Sequence, residues 1–228
     1  MMSKKIIQSD APVFIHIHGG YWQEESITHN INSFIAKYLH KYNIKSIYIG
    51  YELCPKVTLQ QIFNNIEKAV TKCLEYARKH KSRGLHLSGH SAGAHLVAGL
   101  FENFIPSLPK EDKILFKSAF LLCGVYDLVP LITTQINIPL KLDETSAKAA
   151  SPIYQNLSAD GTVFYVVAAE HDSPAFVEQA KKMTEHLLSL GIKTDYVFIS
   201  NVDHFDIIEK LIEEEYELSK LLINVINN

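Results

Sequence analysis

Val13-Phe14-Ile15-His16-Ile17-His18-Gly19-Gly20-Tyr21-Trp22 begins as a buried strand and ends in a pentad where the strand must turn. Two glycines after such a strand let the backbone bend sharply and aim its own N–H groups at an incoming oxygen. A counterpart lies downstream, where Leu85-His86-Leu87-Ser88 runs into Gly89-His90-Ser91-Ala92-Gly93. A G-x-S-x-G pattern between a strand and a helix presents its serine on a tight turn, and Ala92 and Gly93 are small where that crossing is closest. The two stretches read as an oxyanion loop and a nucleophile elbow, the halves of an acyl-transfer site. The plain alternative for Ser91 is a helix N-cap.

Outward from these stretches, short apolar runs alternate with segments of helical period. Ser46–Ile49, Ala119–Cys123, Val163–Ala168 and Tyr196–Ile199 read as further strands. Ile27, Ile31, Phe34, Ile35, Tyr38 and Leu39 recur as one face of a helix. Thr58-Leu59-Gln60-Gln61 is a capping box ahead of a helix carrying Ile62, Phe63, Ile66, Val70 and Cys73. Ala94 to Phe104 reads as the helix behind the elbow, and Ile207 to Ile226 as the last helix. Ser173-Pro174 opens another, with Ser173 as N-cap and Gly191 past its end. Continuous apolar strands alternating with helices predict a mainly parallel sheet covered on both faces. With the elbow, this is the α/β-hydrolase fold, expected as a single domain over residues 1–228. Asp127–Gln155, with Pro130, Pro139 and Pro152, reads as an inserted lid or substrate wall over the C-terminal edge of the sheet.

Composition narrows the class. The chain has 228 residues, 47% of them hydrophobic and 21% charged, which is the balance of a folded globular protein. A net charge of −3 offers no basic face for nucleic acid or anionic lipid. Cys54, Cys73 and Cys123 are far apart and show no C-x-x-C spacing, as expected of reduced core thiols. Met1–Asp10 lacks the apolar region of a secretory signal, and no run is long enough to span a membrane. A cytoplasmic protein is expected.

A serine hydroxyl is a poor nucleophile at neutral pH and needs a general base. In this fold the remaining partners follow in the order acid, then histidine, after later strands. Asp172 follows Val163–Ala168, and His204 follows Tyr196–Ile199. His204 is therefore expected to take the Ser91 proton, with Asp172 holding its tautomer and stabilising the imidazolium. Asp127 is the second candidate for the acid. Glu170 reads as a structural partner, and Asp203 and Asp206 lie too close along the loop to serve the ring of His204. His90 and His171 are expected to make local hydrogen bonds, and His80 to face solvent. His16 and His18 form an H-x-H pair compatible with a metal, but no carboxylate–histidine set at familiar spacing accompanies them. No metal and no other cofactor is expected.

His18-Gly19-Gly20-Tyr21-Trp22-Gln23 resembles the HGGxW signature of the kynurenine formamidases (arylformamidases), relatives of the hormone-sensitive-lipase-like esterases. Gly89-His90-Ser91-Ala92-Gly93-Ala94-His95-Leu96 resembles the elbow of that family. Tyr51-Glu52-Leu53-Cys54-Pro55, Gly124-Val125-Tyr126-Asp127-Leu128, Leu140-Lys141-Leu142-Asp143, Ser151-Pro152 and His204-Phe205-Asp206 are similar too. The likeness runs from Val13 to about Asp206. It implies a triad of Ser91, Asp172 and His204, an oxyanion hole from the N–H groups of Gly20, Tyr21 and Ala92, and a loop braced by His18, Gly19 and Trp22. It also implies hydrolysis of N-formyl-L-kynurenine to kynurenine and formate. Tyr21 and Trp22 are expected to wall the acyl pocket or stack on the aryl ring, or, for Trp22, to anchor the loop in the core. The expected partner is this small molecule, with a homodimer left open. Before Val13 only Lys5-Ile6-Ile7-Gln8 could form a strand, so N-terminal strands are expected to be shortened or missing. A general carboxylesterase and an inactive hydrolase-like binding protein are the competing readings.

Overall fold

Each of the apolar runs becomes a strand of one sheet. In the computed structural model, which describes residues 7–228, the strands are β1 (Val13–Ile17), β2 (Lys45–Ile49), β3 (Leu85–His90), β4 (Phe116–Leu122), β5 (Val163–Ala169) and β6 (Thr194–Ile199). Their spatial order is β2-β1-β3-β4-β5-β6, and every neighbouring pair is parallel. The expected strand at Lys5–Gln8 falls partly outside the described residues. Within them, Ile7 and Gln8 form no strand, and the Gln8 N–H donates to the Asn43 side chain at 2.9 Å.

Parallel strands need helical crossovers, and these cover both faces. The main helices are α1 (Ile35–Lys41), α2 (Leu59–Lys79) and α3 (Ala92–Gly99), followed later by Pro174–Ser189 and Glu217–Asn227. Alternate residues of each strand feed two cores. Ile15, Leu87, Leu121 and Val166 pack with Ile62, Ile66 and Met183 on one face. Phe14, Phe120, Leu122 and Val167 pack with Ile35, Leu39 and Leu222 on the other. Thr58 caps α2 as its sequence predicts: Gln61 N–H donates to Thr58 Oγ1 at 3.2 Å, and Thr58 N–H to Gln61 Oε1 at 2.8 Å. Among the described residues no helix is long and apolar enough to cross a membrane.

Several helical expectations need correction. The face beginning at Ile27 forms a helix only from Ile35, and the chain from Ser26 to Phe34 runs mainly through turns. Ile31 is 49% exposed there, so its helical spacing reports no buried helix face. The elbow helix starts at Ala92 and ends at Gly99, before the expected Phe104. The last segment breaks into Asp206–Glu209, a 3₁₀ turn at Lys210–Ile212 and Glu217–Asn227. Ser173 does precede its helix, but its side chain makes no capping bond.

The connection from β2 back to β3 passes over β1, after which the strands add in the opposite direction. Chain ends therefore diverge between β1 and β3, opening a crevice at their C-terminal ends. Ile17 is the register partner of Gly89. The two motifs that opened the sequence thus emerge side by side.

Candidate active site

The elbow forms because β3 must reverse into α3 within a few residues. Ser91 sits at its apex with φ 55° and ψ −118°, a sparsely populated conformation for a residue with a side chain. Its N–H donates to Leu122 O at 2.9 Å, tying the apex to β4. A Cβ on Gly93 would collide with the carbonyls of Ile17 and His18, so only glycine lets α3 pass this close to β1.

The loop after β1 is equally constrained. Gly20, Tyr21 and Trp22 have φ values of 101°, 46° and 62°. The Gly20 carbonyl accepts from the N–H groups of Gln23 and Glu24, closing the turn. Among the described residues, the Gly20 and Tyr21 N–H groups have no protein acceptor. Ala92, as the first residue of α3, has no intrahelical acceptor either. The His18 ring reaches Gly19 O at 2.9 Å and stacks on Tyr51 with centroids 4.4 Å apart. The Tyr51 hydroxyl in turn reaches the carbonyls of His18 and Gly19 at 3.0 and 3.1 Å. Cys54 N–H donates to Trp22 O at 2.9 Å. Residues after β2 thus clamp the loop after β1. Burial pushes the Tyr51 phenol well up, so it stays a donor.

Trp22 is fully buried, with its ring edge-on to His95 at 4.8 Å. It anchors the loop in the core, whereas Tyr21 lines the cavity.

His204 and Asp172 meet across the ends of β5 and β6. His204 Nδ1 lies 2.7 Å from Asp172 Oδ2, with the two side chains 20% and 5% exposed. Asp172 Oδ1 accepts from Ser173 N–H at 2.7 Å. The His204 ring is edge-on to Phe176, with centroids 4.7 Å apart. Below it lies His90, whose Nε2 reaches the His204 carbonyl at 2.7 Å. Burial, reinforced by His204, lowers the pKa of His90 to about 3, so that ring is neutral and Nε2 carries its proton.

Ser91, His204, Gly19, Gly20 and Tyr21 line one cavity of about 420 Å³, whose outer walls include Ile27, Ile31, Ile136 and Phe205. Its size suits a small organic substrate. Glu24 and Glu209 also line it, and no Lys or Arg does among the described residues. Ile136 comes from the expected lid segment, held by Gln23 Nε2 donating to Ile136 O at 3.2 Å.

The rival acids are committed elsewhere. Asp127 accepts from Val129 N–H at 3.0 Å and from the Tyr154 hydroxyl at 3.0 Å. Glu170 accepts from Asn201 N–H at 2.8 Å, and Asp203 from the N–H groups of Phe205 and Asp206. Asp206 pairs with Lys210 at 3.5 Å. His171 N–H donates to Val202 O, and His80 packs on Tyr76 with centroids 4.3 Å apart. Both ring nitrogens of His16 are engaged, by Ser88 and Asn32. Among the described residues only Cys123, Asp172 and His204 bring three metal-capable donor atoms within 4.8 Å of one another. Tyr51 carries no local signal for its part in the clamp, because the carbonyls it reaches lie more than thirty residues earlier in the chain.

A family described by the α/β hydrolase fold matches residues 14–141, more than half of the chain and inclusive of both motifs. Kynurenine formamidase of Danio rerio is 35% identical over 221 residues, spanning 95% of this chain and 73% of that protein. The chain belongs to the kynurenine formamidase family of α/β hydrolases. The kynurenine formamidase of Drosophila melanogaster is 34% identical over 224 residues, with 95% and 74% covered. Among solved structures, a Silicibacter protein described as a thioesterase superposes with a TM-score of 0.79 at 28% identity. The match covers 97% of this chain and 79% of that one. In this kynurenine formamidase family member, the family's fold brings an oxyanion-type loop, a serine elbow and a histidine–aspartate pair to one crevice.

Proposed function

We propose that this protein hydrolyses N-formyl-L-kynurenine to L-kynurenine and formate, with Ser91 as nucleophile, His204 as general base and acid, and Asp172 as the group that orients His204. The observation that carries the reading is the 2.7 Å His204–Asp172 contact on the cavity that Ser91 lines. The kinship with kynurenine formamidases supports an aryl formamide as substrate.

The chemistry follows from the geometry. Among the described residues the Ser91 hydroxyl has no hydrogen-bond partner, and substrate binding would bring it onto His204, since such bonds often tighten only in the complex. Ser91 Oγ attacks the formyl carbon while His204 Nε2 takes its proton. Charge developing on the carbonyl oxygen is met by the N–H groups of Gly20, Tyr21 and Ala92, each worth roughly 10²–10³ in turnover. His204 then protonates the departing aryl amine. Water attacks the formyl ester with His204 again as base, releasing formate. Residues 127–155 would form one wall of the site through Gln135 and Ile136.

The apolar walls would also admit simple esters, which favours a carboxylesterase as the second reading. Assay of purified protein on N-formylkynurenine beside p-nitrophenyl acetate separates the two. Turnover of the formamide, lost by about 10⁴–10⁶-fold in Ser91→Ala with the fold retained, is the expected result. Ester turnover without formamide turnover would replace the formamidase reading. Folded protein inert on both would point to a binding role.

A further inference from the structure

Asp172 has a third neighbour that the proposed mechanism does not use. Cys123 directly follows β4, with φ 45°, and its thiol is buried at 1% exposure. Its N–H donates to Val167 O at 2.9 Å, fixing the residue against β5. Cys123 Sγ, a carboxylate oxygen of Asp172 and a ring nitrogen of His204 all lie within 4.8 Å of one another. This places the thiol against the Asp172 carboxylate, with the Ala169 backbone beside the sulfur.

We propose that Cys123 is a positioning residue: its S–H donates to the Asp172 carboxylate and holds that group in the orientation that serves His204. This rests on the reading of Asp172 and His204 as the working acid–base pair. An orienting carboxylate must keep one oxygen on the imidazole N–H throughout the cycle. Oδ2 does so here, and Oδ1 takes the Ser173 N–H. The Ser173 N–H belongs to the next peptide of the same loop and does little to stop the carboxylate rocking about its stem. A donor fixed on another strand resists that motion, and Cys123 is one.

The thiol must keep its proton for this role. Burial first, then the adjacent Asp172 charge, pushes its pKa well up, so it remains S–H. The other titratable groups acting on the pair or on His204 include His90, Tyr21 and Asp203, with Tyr126, Tyr196 and Tyr216 on the thiol side. None of them supplies a hydrogen bond to the Asp172 carboxylate. Cys54 and Cys73 are also buried, and no carboxylate acts on either thiol.

The test combines rate with spectroscopy. In Cys123→Ala, kcat should fall about tenfold with KM unchanged, the loss of one donor to a charged acceptor. Cys123→Ser, which keeps a donor, should recover to within about threefold of wild type. The downfield proton resonance of His204 Nδ1–H should move in the alanine variant and return in the serine variant. In the wild-type protein, one of the three S–H infrared bands should lie at lower frequency than the other two, as a donor to a carboxylate requires. That band needs no activity and no substitution, so it tests the thiol contact even if the substrate assignment fails. Wild-type kcat and an unmoved resonance in Cys123→Ala would overturn the proposal. So would a serine variant as impaired as the alanine one, or three coincident S–H bands.

Discussion

The ring of His90, the residue immediately before the elbow serine, holds the backbone carbonyl of His204 at 2.7 Å. The loop that brings His204 is thereby fastened to the turn that brings Ser91. The bond forms across 114 residues of sequence from a buried ring, so neither loop can shift without breaking it.

The first prediction concerns the acid. Asp172→Asn should lower kcat about 10⁴-fold, because an amide cannot hold the imidazole in the required tautomer. Asp127→Asn should cost less than about tenfold, since Asp127 only braces Val129 and Tyr154. Comparable losses in the two variants would remove Asp172 from the assigned role.

The second concerns the loop clamp. Tyr51→Phe keeps the stacking on His18 but deletes the hydroxyl that reaches His18 O and Gly19 O. Stability should drop by about 1–2 kcal/mol, and kcat by roughly tenfold or more as the oxyanion donors lose registration. Urea unfolding and steady-state kinetics on the same preparation would check both. An unchanged kcat would show that the loop holds its shape without the clamp.

The third concerns the crossing of α3 over β1. Gly93→Ala places a methyl group into the Ile17 and His18 carbonyls, and backbone cannot yield as a flexible side chain can. A loss of about 3 kcal/mol or more is expected, with poor soluble yield. A variant with native melting behaviour would contradict the close approach.

The fourth concerns pH. Burial lowers the pKa values of His16, His86 and His90 to about 3 and of His95 to about 4. These rings stay neutral in the folded protein while the unfolded chain protonates them near pH 6.5. The unfolded state therefore binds more protons below that pH, and stability falls as pH drops from 6.5 toward 4. Each histidine removes about 2 kcal/mol by pH 5. Denaturant midpoints at pH 7, 6 and 5 measure this directly, and a flat profile would mean that the rings are solvated.

The strands were legible because strands buried on both faces are written as largely apolar runs, such as Ala119–Cys123 and Val163–Ala168. The placement of Ser91, Asp172 and His204 at one edge of the sheet was legible because each follows a strand, and parallel strands deliver their C-terminal ends to one edge. The turns from Ser26 to Phe34 were misread because Ile27 and Ile31 keep helical spacing while lining the cavity. The last helix was overextended because Ile207, Ile208 and Leu211 bury beside Leu218 and Leu222 despite the break at Glu213. Tyr51 and Cys123 carry no local signature. Each acts through a partner brought near only by the sheet order.

The carboxylates of Glu24 and Glu209 on the cavity wall bear on how the reaction ends. Deformylation turns a neutral formyl group into an anion, and that anion would form in a chamber whose described walls offer it no Lys or Arg. Formate would then leave without an electrostatic hold, so accumulating product should compete only feebly for the site.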